Sequence, residues 1–275
     1  MISRLKRKLN KIWKEDIVKQ EVVMNYVPVM SSNFLSEKIV LIIGATGKVG
    51  GSIVETFVDA GATVIAAGRN KDRLLDLEKK YGVRSIHFDM NNINDYYSKI
   101  VEAGNYYGRI DILVNASGGQ TQKDVKQLFF EFTEADFDYD INTNLKSEFF
   151  LIQAMSKYMI EQKIRGSIVT VISEMGYRAA KTPYDISRWG ERGFIQGAAL
   201  MLAEHGIVVN GVAPGIISTE MGGYKEGDSL YLKAHPNKRY VTPKEIANTC
   251  LFLASDFGNN LVGEIIISDG GSHLK

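Results

Sequence analysis

Residues 44 to 51 read Gly44-Ala45-Thr46-Gly47-Lys48-Val49-Gly50-Gly51, set between an apolar run, KIVLII, and a helix-like segment, SIVETFVDAG. Glycines at this spacing suit the binding of a diphosphate. Gly44 permits a tight turn, Gly47 lets the backbone approach a pyrophosphate, and Gly50 lets helix and strand pack closely. Lys48 and Val49 then open a helix whose first amides aim at the phosphates. The position of the loop between a buried strand and a helix gives the pattern its weight; glycines alone would carry little.

A second feature speaks to which nucleotide such a loop holds. The next strand-like run ends at Ala66-Ala67-Gly68-Arg69, with no acid where a ribose hydroxyl would need an acceptor. A carboxylate there would repel a 2′-phosphate, whereas the planar guanidinium of Arg69 can pair with one, so NADP(H) is expected over NAD(H). The plainer alternative is an exposed arginine opening the following helix. Asp89, closing the third run, can accept a bond from an adenine amino group or cap a helix.

These residues need a scaffold, and the pattern supplies one. The runs KIVLII, ATVIAA, RSIHF, DILVN, SIVTVI, IVVNGV and EIIIS alternate with helix-length amphipathic segments from Lys38 onward. Strands alternating with helices predict an α/β fold: a doubly wound, parallel seven-stranded sheet with helices on both faces, in one domain over residues 38–275. Ligands of such sheets bind beyond the carboxyl ends of the strands, near the point where strand order reverses.

Composition bounds the rest. The 33 basic and 32 acidic residues of this 275-residue chain nearly cancel, which gives no case for a nucleic-acid partner. A lone cysteine, Cys250, rules out an internal disulfide and a cysteine-rich metal site, and its neighbours NTCLFLA look like a core helix. No apolar run reaches the roughly 20 residues of a membrane span, so a cytoplasmic protein is expected. Residues 1–37 form a separate arm. Arg4, Lys6, Arg7, Lys8, Lys11 and Lys14 interleave with Ile2, Leu5, Leu9, Ile12, Trp13 and Ile17 at helical spacing. Such a basic amphipathic helix packs on its own subunit or a neighbour, or attaches weakly to an anionic membrane surface through residues 1–30.

Further motifs, in order, resemble the short-chain dehydrogenase/reductase family over residues 34 to 271. Asn115-Ala116-Ser117-Gly118 resembles the family's turn beside the cofactor, and Asn144 in INTNLKSEFFLIQA its active-site helix asparagine. Ser173 ends GSIVTVIS as the catalytic serine does, and Tyr184-Asp185-Ile186-Ser187-Arg188 stands at the YxxxK motif. Pro214, Gly215, Ile217 and Thr219 resemble the nicotinamide-side loop, and Met90 lies beside Asp89 at the adenine side. The resemblance implies hydride transfer between NADP(H) and a small-molecule carbonyl or secondary alcohol, with Tyr184 passing the proton. A phenol ionises near ~10 in water, so a nearby cation is needed to favour the phenolate. In the family a lysine four residues on does this and bonds the nicotinamide ribose, the serine holds the substrate oxygen, and the asparagine supports a proton relay. A homo-oligomer is also implied.

The sequence departs from the family pattern at three points. Arg188 replaces the lysine, keeping the charge but not the shape or the ability to release a proton. The glycine loop reads GxxGxxG, with Lys48 where many members have glycine. Ser173 and Tyr184 are only 11 positions apart, which predicts a shortened loop between them. Two alternatives to an oxidoreductase follow: an NADP(H)-binding regulator or scaffold impaired in chemistry, and a sugar-nucleotide epimerase or dehydratase, for which the chain lacks a sizeable C-terminal substrate domain.

Overall fold

A computed structural model describes residues 33–121 and 129–275. Seven strands pair in parallel in the order β3-β2-β1-β4-β5-β6-β7. They are β1 (Ile39–Ile43), β2 (Thr63–Gly68), β3 (Arg84–His87), β4 (Ile112–Asn115), β5 (Ser167–Val171), β6 (Val208–Pro214) and β7 (Ile265–Ser268). All seven expected runs are strands. The order reverses between β1 and β4, where Ile43 stands beside Asn115, so the crevice lies at the carboxyl ends of these two strands.

Successive strand residues face opposite sides, and here both sides are apolar. Leu41, Ile43 and Leu113 join a core with α3 (Tyr96–Gly104), α5 (Ser147–Glu161) and α6 (Pro183–Leu202). Val40, Ile42 and Val114 face α1 (Lys48–Asp59), α2 (Lys71–Tyr81) and α7 (Pro243–Ala254). Two-sided burial explains why the strands read as continuous apolar runs. Each fully buried Leu, Ile or Phe, such as Phe57, adds about 1.5–3 kcal/mol through area removed from water. Cys250 is buried in α7, and burial pushes its thiol pKa up.

Helix starts are written locally. Thr182 and Asp185 form a capping box at α6, with Pro183 in its first turn, and Thr242, Pro243 and Glu245 repeat the device at α7. The helix before β5 is less regular. It begins as α4 (Glu134–Asp140), passes through a π-helical stretch, Ile141–Lys146, and continues as α5.

The basic amphipathic segment of the N-terminal arm lies outside the described residues. Residues 33–37, read from sequence as the end of that arm, join the domain. Leu35 is fully buried, its amide donates to the Ala60 carbonyl at 3.0 Å, and the Phe34 ring packs on Phe257. Deleting residues 1–30 keeps these contacts and is therefore expected to leave a soluble, folded, NADPH-binding protein, as judged by circular dichroism and cofactor titration. An unfolded truncation would show that the arm belongs to the core. No helix among the described residues is long and apolar enough to cross a membrane.

Candidate active site

The glycine loop leaves β1 with Gly44 at φ +77°, a conformation that favours glycine. A Cβ there would lie 2.8 Å from the backbone of Ala116 and Ser117, and a Cβ on Gly50 would lie 2.1 Å from the Gly44 carbonyl. The loop, the start of α1 and the turn after β4 are thus pressed together at the switch point. Gly47 faces space, with only the Gly44 carbonyl near its Cβ position, at 3.4 Å. No side chain caps α1 and no acid stands in its first turn, so the leading amides around Lys48 and Val49 are left for an anion.

On the side of β2 and β3, Arg69 is exposed at the end of β2 and Asp89 follows β3. One Asp89 oxygen accepts from the Asn91 amide at 3.0 Å, and the neighbouring Met90 carbonyl accepts from the Tyr96 hydroxyl at 2.5 Å. Arg73, which the sequence reading did not single out, donates from Nη1 to the Thr46 carbonyl at 3.2 Å. It brings a guanidinium to the glycine loop. Its place in the first turn of α2, just after Arg69, was the available signal.

At the other side of the crevice the structure gathers the turn after β4, the π-helical stretch and α6. Asn144 is buried in the π-helical turn. Its side-chain oxygen accepts from the Gly119 amide at 3.0 Å, and its Nδ2 donates to the carbonyls of Gly119 and Asp140 and to Ser187 Oγ at 3.2 Å. Ser187 Oγ in turn donates to the Tyr184 carbonyl at 2.7 Å. Asn144 therefore pins Gly119, in the turn after β4, to the helix turn that carries Tyr184 and Arg188. A Cβ on Gly118 would lie 2.6 Å from Arg188 Nη2 and 3.3 Å from Asn144 Oδ1, so a larger residue there would push the guanidinium from its place.

The Arg188 guanidinium carbon sits 4.9 Å from the centroid of the half-buried Tyr184 ring, within cation–π range. Arg188 is itself buried and pairs with buried Glu191, Nη1 to Oε2 at 2.7 Å. Burial opposes the charge of Arg188, but Glu191 and Tyr184 outweigh it and its pKa is raised. Next to this pair lies a third buried charge carrier. The Glu148 carboxyl accepts from Thr170 Oγ1 and Asn115 Nδ2, and burial, followed by the charge of Glu191, pushes it up to about 7. Neither glutamate was anticipated from sequence.

Ser173 follows β5, and its Oγ accepts from the Met175 amide at 3.2 Å, which leaves the hydroxyl hydrogen free to donate. The short segment from Ser173 to Tyr184 is stapled onto α6. A Cβ on Gly176 would lie 2.8 Å from the Arg188 carbonyl, Arg192 donates to the Gly176 carbonyl, and Trp189 Nε1 donates to the Arg178 carbonyl. Behind Ser173, Glu174 is buried against Asp269, with Arg178 and Ser272 alongside. Burial and Asp269 raise the Glu174 carboxyl to about 7. Beyond β6, Gly215 packs on Asp269 and His235, while Ile217 bridges to Val241 and the Thr219 amide donates to the Ile217 carbonyl. These contacts place Pro214, Gly215, Ile217 and Thr219 at the carboxyl end of β6.

The chain resembles known proteins over most of its length. Residues 44–273 match the family model described as enoyl-(acyl carrier protein) reductase. The chain is 36% identical over 250 residues to the 3-oxoacyl-[acyl-carrier-protein] reductase FabG of Thermotoga maritima, covering 86% of this chain and 98% of that one. It is 32% identical over 249 residues to the acetoacetyl-CoA reductase of an Acinetobacter species, again covering 86% and 98%. Among solved structures, a short-chain type dehydrogenase/reductase from Mycobacterium ulcerans superposes with a TM-score of 0.79 at 21% identity, covering 88% of this chain and 91% of that one. The structure of ElxO with NADP bound superposes with a TM-score of 0.76 at 26% identity, covering 86% and 99%. With its doubly wound sheet and the extent of these matches, the chain belongs to the short-chain dehydrogenase/reductase family of oxidoreductases.

Proposed function

We propose that this protein interconverts a carbonyl and a secondary alcohol with NADP(H), and that Tyr184 moves the proton. The observation that carries this reading is the seating of the Tyr184–Arg188 turn, by Asn144, Ser187 and Gly118, at the crevice where β1 and β4 end. NADP(H), when bound, supplies or accepts the hydride. The glycine loop and the uncapped start of α1 fit its diphosphate, and the buried Arg188 Nε, which lacks a partner, is a donor available to it. Ser173 holds the substrate oxygen through its free hydroxyl hydrogen. Tyr184 gives its proton to the forming alkoxide, and the permanent charge of Arg188 over the ring stabilises the phenolate left behind.

For the cofactor, Arg69 would hold the 2′-phosphate, with Arg73 in support. The NADP-bound relative is consistent with this choice. Wild-type protein is expected to bind NADPH more tightly than NADH. Arg69→Ala should weaken NADPH by about ten- to hundredfold, the value of a lost charge-assisted pair, while leaving NADH nearly unchanged. Fluorescence titration with both nucleotides measures this, and equal wild-type affinities would refute the assignment.

For the substrate, the relatives named for 3-oxoacyl and acetoacetyl thioesters put β-keto thioesters first on a panel, followed by keto acids and sugar acids. NADPH oxidation across that panel tests the reading. A second reading, an NADP(H)-binding regulator with little chemistry, draws on one observation: Glu191 partly neutralises the cation beside Tyr184. Tight NADPH binding without oxidation on any carbonyl would favour it.

A further inference from the structure

A lone cation beside a catalytic phenol needs only one nitrogen, but this chain uses a guanidinium whose donors face different surroundings. Nη1 donates to Glu191 Oε2 at 2.7 Å, Nη2 faces Gly118, and Nε is buried without a hydrogen-bond partner. Arg188 and Glu191 are 4% and 2% exposed, so water does not screen the pair. Two consequences follow. A buried carboxylate this close will capture any cation at position 188. A lysine, with one nitrogen, could meet Glu191 or turn toward the cofactor side, whereas the rigid fork of arginine does both at once.

We propose that Glu191 is a positioning residue that anchors one arm of the Arg188 guanidinium so that its remaining donors face the nicotinamide-side ribose. The two residues then form a unit in which lysine cannot replace arginine while Glu191 remains charged. This rests on the assignment of Arg188 to the cofactor side made above. The ionisation of the pair agrees with it: burial pushes the Glu191 carboxyl up, but Arg188 pulls it back, and the guanidinium does not surrender its proton. The anchor also leaves Arg188 in contact with Tyr184, so loosening it affects binding and chemistry together.

The test is a double-mutant cycle in the full chain, read as NADPH and NADH dissociation constants by tryptophan fluorescence, with melting temperature recorded for each variant. Glu191→Gln and Arg188→Lys are each expected to weaken both nucleotides by about tenfold, and the double variant to return to within about threefold of wild type instead of losing about a hundredfold. Rescue of this kind is not expected from a role confined to folding. The proposal is overturned if Glu191→Gln lowers the melting temperature but binds like wild type. It is equally overturned if Arg188→Lys binds as well as wild type, or if the two losses simply add. Should Glu191→Gln not fold, comparing Arg188→Lys with Arg188→Lys/Glu191→Gln still decides: a gain of about tenfold on removing the carboxylate supports the anchor, and no gain refutes it. The ribose is common to both nucleotides, so the same pattern with no preference for NADPH would uphold the anchor and defeat only the cofactor choice. Wild type binding neither nucleotide would defeat both.

Discussion

Tyr184→Phe is expected to lower turnover by about 10²- to 10⁴-fold, the range of a lost general acid, while changing NADPH affinity by less than about threefold. The substitution removes one oxygen and little else. The ring remains for Arg188 to sit over, at 4.9 Å from its centroid. The start of α6 keeps its Thr182–Asp185 capping box, and Ser187 still donates to the backbone carbonyl of residue 184. Folding and the seat of the cofactor should therefore persist, and the loss should fall on the proton transfer. Oxidation of NADPH by a β-keto thioester or another accepted carbonyl, with binding measured separately, distinguishes the two effects. Turnover unaffected by the change would show that the proton comes from elsewhere.

How far such a site can be read from sequence depends on whether each residue's job is local. The glycine loop was legible because its requirements are backbone requirements, a positive φ at Gly44 and a missing Cβ at Gly50, which leave glycines at fixed spacing. The seven strands were legible because burial on both faces makes each one an apolar run. Thr182-Pro183 and Thr242-Pro243 announce their helices in the same local way. The π-helical turn at Asn144 was not announced, because it arises where the helix meets the turn after β4 and the side chain must reach both Gly119 and Ser187.

The buried charges were hidden for a different reason. Glu148 and Glu191 look like ordinary surface residues of helices, and only their register places them inside. Glu148 shares a face with Asn144, Leu151, Ile152 and Met155, and Glu191 shares one with Ser187, Arg188, Ile195 and Ala198, all buried. An acid on an apolar stripe, three residues after the one departure from the family's YxxxK motif, was a signal that helical periodicity alone could have raised. What sequence could not supply was the Thr170 and Asn115 bonds to Glu148, which come from two different strands.

Arg188→Met is expected to have the second large effect, and it separates structural from functional roles when paired with a change at Glu191. Removing the guanidinium leaves Glu191 a buried carboxylate without its partner, a loss of about 3–5 kcal/mol in similar cases. Without Arg188 to lower it, the Glu191 pKa moves further above its ordinary value of 4.5. A carboxyl whose folded pKa is raised is neutral in both states in acid and costs stability as pH rises past its unfolded value. The deficit of Arg188→Met should accordingly be small near pH 4.5 and grow toward neutral pH, which denaturant melts at several pH values can follow. Replacing both members, as Arg188→Met/Glu191→Leu, removes the stranded charge, and apolar substitution of buried pairs is often neutral or stabilising. The double variant should thus regain most of the stability at neutral pH. It should not regain function: with no cation beside Tyr184 and no donor for the ribose, NADPH affinity should stay at least about tenfold weaker, and turnover should fall by at least about a hundredfold. A double variant that is stable and also binds and turns over like wild type would remove Arg188 from the site and reduce the pair to a feature of the core.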